Sequence, residues 1–209
     1  MTDWVTISSL TTGAGTLVLA AATFASVRSA NRAARTAERS LQAGLRPVLM
    51  ASRLEDPTEK IVWMDGYWGQ TKGGRAHVDV TDDAIYLAIP LRNVGSGIAV
   101  LHGWRSCADR LTATQPPPAV EHFRPQTRDL YVPGDGLGFW HGAYRDEERT
   151  DQADLAKAIE NSTPLTVDLL YGDHEGGQRT ISRFSVLPHS SGWVCSVVRH
   201  WNLDRHDPR

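Results

Sequence analysis

The sequence predicts a mainly β protein: an N-terminal transmembrane helix continuing into an amphipathic helix, then an antiparallel immunoglobulin-like β-sandwich with one short connecting helix. Three observations carry this. Residues 4–27 hold no charged side chain. Arginines then recur at helical spacing. After Arg46 the pattern changes to short extended runs broken by Gly, Pro and Asp. The expected division is an anchor with its juxtamembrane helix over 1–45, a β-sandwich domain over 46–203 and a tail over 204–209.

The first run has 24 residues, of which 14 are apolar and the others Thr, Ser and Gly. As helix it would extend roughly 36 Å, against a hydrocarbon core of about 30 Å. Thr and Ser bond back to helix carbonyls, and small residues are common in membrane helices. No polar stripe interrupts the run, which argues against a helix packed on a soluble core. A cleaved signal peptide would need a basic segment before the run. Here Asp3 precedes it and the positive charge follows, although Ala20, Ala21, Ala22 and Ala25 have the size that a cleavage site uses.

Arg28, Arg32, Arg35 and Arg39 lie on one helical face, and the positive-inside rule then predicts a single-pass cell-membrane protein. Its N-terminus is outside and its C-terminal domain cytoplasmic, with Trp4 at the outer interface. The arginines either bind lipid headgroups or form a solvated face that sets topology. Ala30, Ala34, Ala37 and Leu41 make a second stripe suited to self-association. Gly44 and Pro47 end the helix.

Charge is uneven. Residues 1–46 hold five Arg against Asp3 and Glu38, and the remainder holds 17 basic and 22 acidic residues. A mildly acidic domain has no electrostatic footprint for nucleic acid. Strands are expected at 47–54, 84–93, 98–107, 165–173, 180–187 and 194–201, with weaker candidates at 60–64, 76–80, 129–132 and 138–141. Asp65-Gly66, Gly73-Gly74, residues 133–136 and residues 172–177 signal turns. One helix is expected over 151–161. Residues 112–126 read as an irregular loop stiffened by Pro116, Pro117 and Pro118.

The run Leu91-Arg92-Asn93-Val94-Gly95-Ser96-Gly97-Ile98-Ala99 joins two strands, with Asn93 able to bond its own backbone and Gly95 and Gly97 expected to supply positive φ. It resembles the N-x-G-x-G-x-A turn of bacterial immunoglobulin-like domains, with Ile98 where proline is common. With the anchor, the entry run Arg46-Pro47-Val48-Leu49 and the run Val167-Asp168-Leu169-Leu170-Tyr171-Gly172-Asp173, the chain resembles uncharacterised actinobacterial single-pass membrane proteins. That resemblance implies topology and fold, and no activity.

Chemistry is sparse. There is no G-x-S-x-G elbow, Walker loop, H-E-x-x-H or C-x-x-C. The glycines at 134–138 precede a strand-like run and read as a turn. The eight histidines show no metal-ligand spacing, and Asp173-His174-Glu175 reads as an exposed hairpin tip. No metal or cofactor is expected. Asn161-Ser162-Thr163 matches a glycosylation sequon but reads as a helix end. Cys107 and Cys195 are expected as free thiols in a reducing compartment, or as an inter-sheet disulfide if the topology is reversed.

The expected function is a membrane-anchored cytoplasmic interaction or accessory module without catalytic activity, whose partners are membrane lipids and an unknown protein. Tyr67 and Trp68 are a possible partner patch, with folding back onto the core as the alternative. A second reading is a hydrolase or small-ligand-binding domain with a pocket between the sandwich and residues 112–145, gathering His122 and His141. A third is a sensor or accessory subunit of a larger membrane complex, with the helix itself contributing the interface.

Overall fold

The computed structural model describes residues 4–204, except 147 and 149–151, and for residues 4–11 the backbone alone. The expected interfacial placement of the Trp4 side chain lies outside the described residues, as does the tail beyond 204. The chain divides into two compact units, Met1–Gly44 and Leu45–Arg209.

The first unit is a helix, α1 (Trp4–Gly44), ending at the glycine. Thr16 and Thr23 donate their hydroxyls to the carbonyls of Thr12 and Leu19, four residues back. Those bonds satisfy hydroxyls that would otherwise need water. Leu17, Val18, Leu19, Phe24 and Val27 are all exposed. Among the described residues, no helix is long and apolar enough to cross a membrane. Val5, Ile7 and Leu10, which belong to the expected span, have side chains outside the described residues.

The second unit is mainly β. Its strands are β1 (Leu49–Ala51), β2 (Glu59–Val62), β3 (Trp68–Thr71), β4 (Arg75–Val80), β5 (Ala84–Asn93) and β6 (Ala99–Cys107). They continue as β7 (Arg124–Val132), β8 (Leu137–Arg145), β9 (Leu165–Asp173), β10 (Thr180–His189) and β11 (Gly192–Asn202), with helix α2 (Ala153–Glu160) before β9. Nine strands form one antiparallel sheet in the order β1-β5-β4-β11-β10-β9-β6-β7, with β8 also on β5. The hydrogen-bonded path is thus continuous and curled, where two separate sheets were expected. Among the described residues, its two parts join through Trp193↔Ala76 and Val194↔Arg75, with Cys195 N donating to Gly74 O at 3.0 Å beside them, a link between segments far apart in sequence.

The main core lies inside this curl. Ile85, Leu87, Ile89 and Leu91 of β5 face Leu165, Val167, Leu169 and Tyr171 of β9, with Trp104, Trp140 and Phe184 between. Both β5 and β9 are buried on their second faces too. Over β5, the β2–β3 hairpin places Ile61 and Trp63 on Ala84, Tyr86 and Ala88. Over β9 and β10, Phe123 covers Leu170, Ile181 and Trp201. The segment leading to it is tied down by Thr166, which accepts from Leu111 N at 2.9 Å and donates to Asp109 O at 2.6 Å. Each central strand therefore lies between two apolar layers, which is why both read as near-continuous apolar runs.

Residues 112–145 are not an insertion. They contain β7 and β8, and β8 pairs with β5 from Ala84↔Arg145 to Arg92↔Leu137. The 3-10 turn Val120–His122 replaces part of the expected irregular loop. Cys107 and Cys195 are both free, and burial pushes the Cys195 thiol well up from its ordinary value. Ser162, in the sequon, holds φ 51° just past α2, consistent with a helix end.

Candidate functional site

Asn93 does more than close a turn. Its Oδ1 accepts from Val48 N at 3.1 Å and from Gly95 N at 3.0 Å, while its Nδ2 donates to Gly97 O at 2.6 Å and Val132 O at 3.2 Å. One fully buried amide thus joins the chain entering β1, the β5–β6 turn and the end of β7. Gly95 and Gly97 are not in the positive-φ region, contrary to the expectation for them. Close approach is the reason for glycine: a Cβ on Gly95 would lie 2.1 Å from Arg46 O, and one on Gly97 1.6 Å from Leu45 O. This motif is structural.

The expected pair Tyr67 and Trp68 is split. Asp65-Gly66 turns the β2–β3 hairpin with φ 84° at Gly66, and Tyr67 N donates to Asp65 Oδ1 at 3.0 Å. Tyr67 folds inward, stacked on Tyr86 with ring centroids 3.9 Å apart, and its hydroxyl bonds Asp79. Trp68 points outward and is 63% exposed. Its cross-strand partner Val62 is 57% exposed and Met64, two residues on, 81%. The hairpin is held rigidly: Trp63 Nε1 donates to Gly142 O at 3.2 Å, and Asp65 Oδ2 accepts from Arg145 Nε at 2.6 Å and Tyr86 OH at 2.9 Å.

Beside the hairpin, residues of β7 and β8 line a groove of about 150 Å³. Trp63 and Trp104 are among its walls, with His141, Gln126, Arg124 and Arg128. His141 is 6% exposed, with Trp63 and Phe139 rings 5.4 and 5.7 Å from its own. Burial, and then the Arg128 and Arg145 guanidinium groups, push its pKa down to about 4. The imidazole is therefore neutral at pH 7. Arg128 Nη2 lies 3.3 Å from His141 Nε2. A guanidinium only donates, so Nε2 accepts and the proton sits on Nδ1. Nδ1 is buried and has no hydrogen-bond partner. Gln126 donates Nε2 to His141 O at 3.2 Å, which leaves its buried Oε1 unpartnered as well.

His122 lies elsewhere, in a more open hollow of about 440 Å³ with Arg105, Cys107, Tyr144 and Asp154. The expected His122–His141 constellation is not formed. In that second hollow burial raises the Cys107 pKa, the opposite of what a reactive thiolate needs. Among the described residues no group of three His, Cys, Asp or Glu side chains is arranged to hold a metal ion.

The buried ion pair Asp168–Arg183 was not anticipated, because a charged residue within an alternating strand reads as solvent-facing. The orphaned Nδ1 of His141 and Oε1 of Gln126 were equally invisible, since orphaned atoms are properties of packing. No protein-family model and no curated protein matches the chain. A solved structure described as a crystal structure of a protein from Archaeoglobus fulgidus is similar at 11% identity, over 63% of this chain and 94% of that one, with a TM-score of 0.25. A score that low carries no argument about fold or function.

Proposed function

We propose that the protein is a membrane-anchored interaction module without catalytic activity. In this reading α1 spans the cell membrane once with the N-terminus outside, and the β domain works at the cytoplasmic face. The immunoglobulin-like description and the kinship with actinobacterial single-pass proteins belong to the same proposal. The observation that carries it is the exposed run Leu17, Val18, Leu19, Phe24 and Val27, followed directly by Arg28, Arg32, Arg35 and Arg39. So much unpartnered apolar surface calls for lipid or another helix, and one-sided arginines suit an anionic inner leaflet. The Ala30, Ala34, Ala37 and Leu41 stripe offers a route to self-association, and Val62, Met64 and Trp68 a surface for a protein partner.

Alkaline carbonate extraction tests the anchor. The intact chain is expected to stay with the membrane pellet, and a chain lacking residues 1–27 to move to the supernatant. Extraction of the intact chain would overturn the reading. Orientation is read with S190C, in the exposed β10–β11 turn. An impermeant thiol reagent should label it only after permeabilisation, and labelling of intact cells would invert the topology.

A second reading, a small-ligand-binding domain on the same tether, is favoured by the groove between β7 and β8. Trp63, Trp104, Gln126, Arg128 and His141 are among its lining residues.

A further inference from the structure

We infer that the outward face of the β2–β3 hairpin docks an acidic amphipathic segment of a protein partner, with apolar side chains of that segment on Val62, Met64 and Trp68 and its carboxylates on Lys60 and Lys72. This rests on the interaction-module reading above and names the chemistry of the partner. Register defines the face. Lys60↔Gln70 and Val62↔Trp68 are cross-strand pairs, and successive side chains point to opposite faces of a hairpin. Ile61, Trp63, Gly69 and Thr71 turn to the domain and are buried. Lys60, Val62, Met64, Trp68, Gln70 and Lys72 are all exposed. Gly69 lets the hairpin lie flat, since a Cβ there would meet the His77 ring at 2.6 Å. The inner face is thereby committed, and the outer one is free to bind.

Charge selects the partner. The outward positions carry two lysines and no carboxylate. Glu59 alternates inward, and Asp65 at the turn is held by Arg145 at 2.6 Å and Tyr86 at 2.9 Å. Among the described residues, neither Lys60 nor Lys72 has a carboxylate within ion-pair distance. Carboxylates complement this face, and a basic segment would be repelled. The turn decides against a lipid surface. A hairpin enters a bilayer by its tip, and here the tip is Asp65-Gly66, a carboxylate paired with a guanidinium, which is costly at membrane depth. The apolar side chains lie behind that tip on a flat face, and Trp and Met are enriched in protein interfaces. Met64, Val62 and Trp68 sit toward the turn and the lysines toward the other end. The partner segment therefore carries its carboxylates to one side of its apolar residues. From Lys60 to Met64 the chain runs about 13 Å, a span covered by roughly nine residues of helix.

The test uses the full chain in the membranes of the cells that make it, with a photo-crosslinking side chain at position 64 and mass spectrometry of the adducts. The expected result is a protein adduct whose crosslinked peptide holds Asp or Glu to one side of apolar residues. Its yield should fall about tenfold or more in K60E/K72E, where like charges meet. K60R/K72R should keep it, and replacing the carboxylates of the crosslinked peptide by Lys should restore it in K60E/K72E. Both lysines are exposed, so these variants should melt with the parent chain. A protein adduct that is indifferent to K60E/K72E, or a crosslinked peptide without carboxylates, would overturn the acidic partner and leave the hairpin as a protein contact. Lipid adducts alone, or none, would overturn the docking face itself and with it the protein-partner part of the functional reading.

Discussion

Arg183 and Asp168 form a fully buried bidentate pair, with Nε to Oδ1 at 2.8 Å and Nη2 to Oδ2 at 3.1 Å and side chains 1% and 3% exposed. The other donors of Arg183 go to the segment that crosses over β9 and β10. Nη1 donates to Thr112 O and Gln115 O at 3.1 and 3.0 Å, and Nη2 to Pro116 O at 3.2 Å. All five N–H groups are therefore used, which is the condition under which a buried guanidinium is tolerated. Trp201 lies under it at 4.8 Å. The proline-rich stretch is pinned to the sheet by one arginine, helped by Arg199, which donates to Ala113 O at 2.9 Å.

R183M should therefore destabilise the domain by about 3–5 kcal/mol, because Asp168 is left buried without its counter-charge. Adding D168L should recover much of that loss, since an apolar pair removes the stranded charge. Denaturant unfolding of the two single variants and the double variant gives the coupling. Amide exchange separates the second role of Arg183: residues 112–115 should lose protection in the double variant as well. Retained protection there would show that the segment does not depend on Arg183.

The β5–β6 turn gives a second expectation. N93A should cost about 3 kcal/mol, since it strands buried carbonyls at Gly97 and Val132 and the amides of Val48 and Gly95. N93D should fare no better, because it points a carboxylate oxygen at two carbonyls. G97A should lose at least about 2 kcal/mol through steric clash with Leu45 O. G66A, at φ 84° with open space around it, should cost only about 1 kcal/mol. Thermal melts of the four variants rank them. A mild G97A would show that the chain before β1 shifts easily.

Much of this architecture is legible in local chemistry, and the rest is lost for identifiable reasons. Asp65-Gly66 and the glycines of 172–177 mark real hairpins, and the helix read over 151–161 is α2, Ala153–Glu160. Strand β7 is poorly legible because it is an edge strand rich in Arg, Asp and Pro, with most of its residues exposed or half-buried, so no alternating apolar signal arises. Two-pair contact between β4 and β11 turns two expected sheets into one, and nothing in either segment announces its distant partner. His141 was recognisable as a candidate, but its neutrality comes from burial beside two guanidinium groups and its company from β7.

That neutrality makes a pH prediction with a definite sign. His141 titrates near 4 when folded and near 6.5 when unfolded, so between these values the unfolded chain binds more protons. Stability is then complete above about 6.5 and is lost as the pH falls toward about 4. His77, whose pKa burial also lowers, adds in the same direction. Among the described residues, His141 faces Arg128 and Gln126 of β7, Trp63 just past β2, and Phe139 and Arg145 of its own strand β8. Denaturation midpoints across this range should decline more steeply in the parent chain than in H141Q. Parallel slopes would place the imidazole in a more polar setting than its burial indicates.

The β2–β3 hairpin separates packing from recognition within one short stretch. Trp63 is buried against Tyr86 and His141, so W63A should cost about 3–5 kcal/mol. Trp68 and Met64 are exposed, so W68A and M64S should each change stability by no more than about 0.5 kcal/mol. If this surface meets a protein partner, a photo-crosslinking side chain at position 64 should give a discrete adduct in membranes, and W68A should abolish it without altering the melt. Three neighbouring apolar side chains on a hairpin clamped by Trp63, Asp65 and Tyr67 lose little conformational freedom on docking, which favours their use as an anchor. Adduct formation that is indifferent to W68A would mean that this surface is not the contact, and that partner binding must lie elsewhere on the domain.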